Sequence, residues 1–353
     1  MGRRIFMQDV ADAAGVHRTT VSLALRDHPR IPAKTRAHVK ALAEKLGYVT
    51  DPLVAALMHA RRTRSPTPQH AALAYVTSHP TRYGWRDNPV VPDFFPGALA
   101  RARFLGYKLE DFWLREPQMT PRRFSQILRT RNIHGLIMAP PPRGVHALAL
   151  DWENFCSVTL GVGLASPEVH RVADNHFHTF QTALRTCAER GLYRIGFCYP
   201  VDDYQVVTEK RLAAYQIAPL EHPRITLLPP LCLEAPREKN FLAWVRRHRP
   251  EVIINTIVES DPRDWLERAR FAVPRDVSLV SLVLHTNRGW MSGVYHDPAI
   301  NASVAVDLLV GLIHRHERGI PPQAHDVMIR GHWVEGRSIR PSPAAKARSR
   351  AEP

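Results

Sequence analysis

No run of eighteen or more apolar residues occurs in this chain, its four cysteines form no Cys-x-x-Cys pair, and 33 acidic residues face 48 Lys and Arg. Without such a run there is no candidate membrane span. The amino-terminal residues also lack the apolar core of a signal peptide, so a cytoplasmic location is expected. Cys156, Cys187, Cys198 and Cys232 lie far apart and mostly inside apolar stretches, the pattern of buried thiols in a reducing compartment. Also absent are a Gly-x-Ser-x-Gly elbow, a phosphate loop, a Gly-x-Gly-x-x-Gly following a strand, and His-Glu-x-x-His. No catalytic residue and no cofactor are therefore assigned, and no enzymatic activity is expected. His176 and His178 stand two apart near Asp174, but in a chain with 19 histidines that spacing carries little weight as a metal site, and none is assigned.

Basic residues are in excess, and unevenly placed. The formal net charge is +15, with a pI near 10.2. Residues 1–66 hold twelve Lys and Arg against five Asp and Glu, and residues 337–353 hold five against one, so the long middle is close to neutral. A basic amino-terminal segment points to a polyanionic partner, with double-stranded DNA the leading candidate. A length of 353 residues calls for more than one core. We expect a headpiece over 1–50, a hinge helix and linker over 51–70, a body over 71–340 and a disordered basic tail over 341–353.

Residues 7–26, MQDVADAAGVHRTTVSLALR, organise the first segment. Val10, Ala11 and Ala14 recur at helical spacing, Gly15 interrupts, and Val21, Ala24 and Leu25 resume it, which predicts two short helices joined by a turn. In a helix-turn-helix the second helix enters the major groove and offers its early residues to base edges. Those residues are His17, Arg18, Thr19, Thr20, Ser22 and Leu23, followed by Arg30 in the next turn. Arg18 has the fork for a guanine, and the two threonines can reach bases or phosphates. A plain helical hairpin with solvated polar residues is the competing interpretation of this stretch alone. Residues 33–46 read as a third helix, with Val39, Leu42, Ala43 and Leu46 on one stripe. Asp51 and Pro52 then open a ten-residue helix over 53–62, too short to hold in water unless something packs on it.

The succession DVADAAGVHRTTVSLALRDHPRIPAKTRAHVKALAEKLGY followed by DPLVAAL resembles the headpiece and hinge helix of the lactose/galactose repressor family through roughly the first 60 residues. The resemblance implies that His17 opens the recognition helix, that Arg18, Thr19 and Leu23 select the operator sequence, and that Leu57 from each of two hinge helices wedges into the minor groove and kinks the duplex. It also implies a homodimer on a pseudo-palindromic site. Two departures stand out. Phe6, His17 and Pro32 occupy places where the family caps its helices with Ser or Thr, and each lost cap is worth about 0.5–2 kcal/mol. Leu23 stands where many members carry Arg, which favours an apolar contact such as a thymine methyl.

Beyond the Pro-rich 63–70, short apolar runs alternate with amphipathic stretches. Strands are expected at 71–77, 107–114, 135–139, 156–160, 194–199, 225–228, 252–257 and 277–284. Helices are expected at 93–105, 121–130, 176–190, 209–216, 238–248, 263–271 and 299–316. Alternation of this kind means two doubly wound parallel sheets, with ligands bound at the carboxyl ends of strands. The resemblance extends here to the periplasmic sugar-binding type of fold, with more than one passage between lobes, and implies that Asp174 and Arg211 face a cleft. An arginine fork and a carboxylate suit a carbohydrate or another small polar metabolite. Asn255 at a strand end and Trp290 as a stacking surface complete the candidate effector set. For Asp174 the alternative is a helix cap, for Arg211 a bridge to a carboxylate, and for Trp290 packing. The family's acid after the strand matching 277–284 is missing, since the run continues Ser281-Leu282-Val283-Leu284-His285. The whole chain therefore reads as a DNA-binding transcription regulator, more in the manner of a repressor, with a small-molecule sensor lacking operator binding and an activator as alternatives.

Overall fold

The computed structural model describes residues 7–25, 30–46, 71–87, 91–201, 205–235, 237–258, 261–284 and 289–342. The expected hinge helix with Leu57, the Pro-rich linker, Phe6, His285 and nearly all of the basic tail lie outside the described residues. The chain divides into two compact units, 1–69 and 70–353.

In the first unit, helices α1 (Met7–Ala14), α2 (Arg18–Ala24) and α3 (Ala33–Leu46) enclose a core of Val10, Ala11, Val21, Ala24, Val39 and Ala43. Gly15 has φ +63°. Its N–H bonds the Asp12 carbonyl and that of Val16 bonds Ala11, the paired 5→2 and 6→1 closure that favours a residue without a Cβ. The capping expectation is corrected at one position. His17 does cap α2: its Nδ1 accepts the Thr19 N–H at 3.3 Å and lies 2.8 Å from Thr19 Oγ1. At Pro32, which has no polar side chain, the Arg36 guanidinium instead donates to the neighbouring Ile31 carbonyl at 3.0 Å.

The second unit holds two sheets. The first runs β12 (Asp326–Ile329), β5 (His170–Asp174), β4 (Cys156–Leu160), β3 (Gly135–Met138), β1 (Ala72–Thr77), β2 (Lys108–Trp113), every neighbour parallel. Its inner strands β1, β3 and β4 are buried on both faces, as sandwiched parallel strands must be. Leu73 and Tyr75 of β1 join α4 (Phe94–Phe104) and α10 (Pro298–Arg315), while Ala74 and Val76 pack with Phe124 and Leu128 of α5 (Pro121–Thr130). The second sheet runs β13 (His332–Val334), β11 (Ser292–Tyr295), β10 (Ser278–Leu284), β9 (Val252–Asn255), β6 (Arg194–Pro200), β7 (Thr226–Leu227), with β8 (Leu231–Leu233) also on β6. Only β13 is antiparallel among these pairs. Around it lie α6 (His176–Glu189), α7 (Gln205–Glu221), α8 (Arg237–His248) and α9 (Pro262–Arg268).

The structure departs from the sequence expectations in α7, which extends well past 209–216 and tolerates Pro219 near its end. It departs again in β5, β8, β11, β12 and β13, which are short or peripheral and have no clear periodicity. Cys156, Cys187 and Cys198 are buried free thiols, whereas Cys232 is half-buried. Burial pushes the Cys187 thiol up to about 12. Among the described residues no helix is long and apolar enough to cross a membrane.

Helices α4 and α10 approach so closely that a Cβ on Gly97 would stand 2.4 Å from Ala299 Cα. Gly97→Ala is therefore expected to lower the unfolding free energy by about 1–3 kcal/mol, the usual cost of overpacking. Gly289→Ala, where a Cβ meets nothing within 4 Å, is expected to change it by less than about 0.5 kcal/mol. Urea unfolding followed by tryptophan fluorescence checks the contrast.

Candidate functional site

On α2, Val21 and Ala24 are sealed in the core while Arg18 and Thr19 are exposed and Thr20, Ser22 and Leu23 are half-buried. The helix therefore presents a polar face rather than polar residues scattered around it. With Nδ1 of His17 accepting from Thr19, the ring's Nε2 carries its hydrogen. One imidazole thus holds the helix start and keeps a donor for a partner. Arg30, in the turn ahead of α3, is exposed.

In the second unit the chain passes between lobes three times, at Asn175 between β5 and α6, at His296 and Asp297 between β11 and α10, and at Arg330 and Gly331 between β12 and β13. These passages are laced together. The Asn175 N–H donates to the Ile329 carbonyl at 2.7 Å, and a Cβ on Gly331 would lie 2.8 Å from the Tyr295 carbonyl oxygen and 2.9 Å from His296 Cε1.

Asp174 ends β5 at the first passage. It does not cap the following helix: Asn175 does so, accepting the His178 N–H at 3.0 Å. Asp174 Oδ1 instead accepts from Asn301 Nδ2 of α10 at 2.7 Å and lies 3.2 Å from His296 Nδ1. Burial alone would raise the Asp174 carboxyl, but the adjacent His296, the charge of His176 and the Asn301 amide outweigh it and hold the group well below its ordinary range. The other His296 nitrogen, Nε2, is 3.0 Å from the hydroxyl of Thr179 on α6.

Arg211 of α7, only 3 % exposed, acts on the same cluster. Burial first, and then the Arg211 charge, push the charged form of His176 away and depress its pKa well below 6.5, against the pull of Asp174. His176 packs edge-on to His296 at 6.2 Å, and its buried Nδ1 has no hydrogen-bond partner.

The structure places Asp174 and Arg211 both within electrostatic reach of His176 and leaves the other two candidates apart. Asn255 is 1 % exposed. Its amide donates to the Val280 carbonyl at 3.0 Å and its carbonyl accepts from Ile257 N at 3.2 Å, so it ties strand ends. Trp290 packs half-buried against the core beside β9 and β10, with the Arg263 guanidinium 4.8 Å above its ring. His296, Thr179 and Asn301 were missed. The signal available was the polar His-Asp-Pro junction ahead of a long apolar helix. Among the described residues no group of three or more His, Cys, Asp or Glu is gathered for a metal ion.

A three-helix headpiece with a polar recognition face, and a body of two parallel-sheet lobes joined by three passages, define the class of ligand-responsive DNA-binding regulators. Residues 6–51 match the model of bacterial regulatory proteins of the lacI family, and residues 184–339 match the periplasmic binding protein-like domain. The chain thus carries the DNA-binding domain of the lacI family, a family of transcriptional regulators, followed by a periplasmic binding protein-like domain. One curated relative, the NTD biosynthesis operon regulator NtdR of Bacillus subtilis (strain 168), is 23 % identical over 200 residues. That match covers 55 % of this chain and about half, 54 %, of the relative. Among solved structures, the lac repressor dimer bound to operator and the anti-inducer ONPF is similar with TM-score 0.54 at 16 % identity, covering 95 % of this chain and 99 % of that one. The complex of the regulator CelR with cellobiose gives TM-score 0.54 at 18 % identity, covering 95 % and 100 %. At such identities the likeness is one of fold.

A histidine with a depressed folded pKa binds its proton more readily in the unfolded chain, so stability is present above about pH 6.5 and is lost as pH falls below it. His176 is faced by Asp174, His296, Arg211 and Lys210, and His79, His134, His170 and His178 are shifted in the same direction by burial first. Thermal unfolding is expected to show a lower Tm at pH 5 than at pH 7. His176→Asn is expected to recover on the order of 1 kcal/mol of that loss; an identical pH dependence in the variant rules His176 out as its source.

Proposed function

We propose that this chain is a sequence-specific transcription regulator that acts as a repressor, binding a pseudo-palindromic operator as a homodimer in the cytoplasm. The observation that carries this is the division of α2 into a sealed side, Val21 and Ala24, and an open side beginning at Arg18 and Thr19. A helix held this way by α1 and α3 can enter a major groove without unfolding. His17, Arg18, Thr19, Thr20, Ser22, Leu23 and Arg30 form the proposed DNA face, and Leu57 the proposed minor-groove wedge. A few base pairs per headpiece give little specificity, which favours a twofold pair. A surface suited to a second copy is the open edge of β2 with α4, where Phe104 is 78 % exposed beside a groove of about 440 Å³ lined by Leu99, Arg103, Tyr107 and Lys108.

The effector is proposed to be a carbohydrate or another small polar metabolite, bound where Arg211 and Asp174 converge. Asn255 and Trp290 are kept as proposed effector contacts that must first leave their present partners, since the Asn255 side chain bonds backbone groups of the second sheet and Arg263 covers the Trp290 ring. No catalytic role is assigned to any of these residues.

Selection from a random duplex pool is expected to enrich a pseudo-palindrome. Against the enriched duplex, Arg18→Ala is expected to weaken binding by about 1–3 kcal/mol and to relax preference at one symmetric base pair. Fluorescence anisotropy measures the first effect and repeated selection the second. An unenriched pool would sink the operator proposal and leave a small-molecule sensor in its place.

A further inference from the structure

Thr179, His296, Asp174 and Asn301 form a polar relay across the passages between the lobes. Thr179, fully buried on α6, belongs to the second lobe, and Asn301, on α10, to the first. His296 leaves β11 of the second lobe and is steadied there by Thr179 at 3.0 Å. Asp174 ends β5 of the first lobe and is steadied there by Asn301 at 2.7 Å. The middle link, His296 Nδ1 to Asp174 Oδ1 at 3.2 Å, joins the two lobes. Both side chains are shielded, with 12 % and 21 % of their surfaces exposed, so the contact is less screened than a surface pair.

We infer that the Asp174–His296 contact is a latch that sets the closure angle of the two lobes, with His296 as its positioning residue. Each end of the contact is anchored in its own lobe, so rotation about the passages lengthens it. The hydrogens set a condition on this placement. The Thr179 hydroxyl donates to the Asn175 carbonyl at 2.9 Å, which leaves its oxygen to accept from His296 Nε2, so the closed latch carries a second hydrogen on Nδ1, facing the Asp174 carboxylate.

The latch also supplies a route from ligand to lobe angle. Resting on the proposal that Asp174 meets the effector, a donor on the ligand competes with His296 for the same carboxylate, so occupancy favours the angle at which the latch is open. The ring of His176 packs beside His296 and lies within the field of Arg211, the other proposed ligand contact.

The test is the distance between spin labels placed on the two lobes of the full-length chain, at the exposed positions Arg122→Cys on α5 and Lys239→Cys on α8. Cys232, the one native cysteine that is not buried, is replaced by Ser. Double electron–electron resonance without ligand or DNA is expected to give one narrow distribution, and His296→Ala is expected at least to double its width or shift its mean. A residue needed only for packing lowers Tm and leaves the distribution of the folded molecules unchanged, and that result overturns the latch. Should His296→Ala fail to fold, Thr179→Val removes only the hydroxyl that steadies the ring and must itself broaden the distribution, or the inference is wrong. Because neither operator nor effector is present, failure of the proposed function leaves this outcome intact, and failure here leaves the operator proposal standing.

Discussion

Neither lobe of the body is a continuous piece of chain, and this constraint governs the rest. The first sheet takes β1 to β5 from residues 72–174, then must wait for α10 and β12, more than a hundred residues later, to finish its core. Ala302, Ala305, Val306 and Leu309 of α10 pack in one cluster with Leu73, Tyr75 and Val158. A lobe that lacked α10 would expose an apolar sheet face that parallel strands cannot leave to water. The two lobes therefore fold as partners, and the three passages between them are structural necessities before they are hinges.

That necessity explains where polar chemistry collects. A passage only one or two residues long puts strand ends and helix starts from both lobes within reach of one another, and each brings unpaired backbone groups and a dipole end. Asn175 and Asp297 answer this locally by capping α6 and α10. Asp174 and His296 answer it across the passage. The same crowding lowers the charged form of His176, buried next to Arg211, and sets a carboxylate that is stable only while its neighbours stay in place. Shifted titration and mechanical linkage are thus two consequences of one arrangement.

Sequence patterns made much of the fold legible where burial is simple. The bounds of α3, α5 and β4 are those the sequence predicts, because Thr120-Pro121 marks a helix start and Cys156, Val158 and Leu160 alternate along a strand that is buried throughout. The pattern was silent on β11, β12 and β13, where the strands are three or four residues long and at or near sheet edges. Missing them hid two of the three passages, and with them His296. Nor does the pattern show the register of β9 on β10, Asn255 opposite Ser281, which brings the Val280 carbonyl to the Asn255 amide.

The headpiece teaches the converse lesson about caps. Ranking residues by capping preference marks His17 as a loss, because Ser, Thr, Asp and Asn lead that scale. The scale averages over side chains whose acceptor sits close to the backbone, and it is blind to an imidazole whose Nδ1 is as near as an Asn oxygen. The outcome is more than a substitute cap. A serine uses its oxygen on the helix start and has little left over, whereas histidine binds Thr19 with one nitrogen and keeps a donor on the other, two bonds away across the ring. A residue that weakens the helix on a propensity scale therefore extends its reach, and the stability of α2 and its capacity to touch a partner come to depend on the same ring.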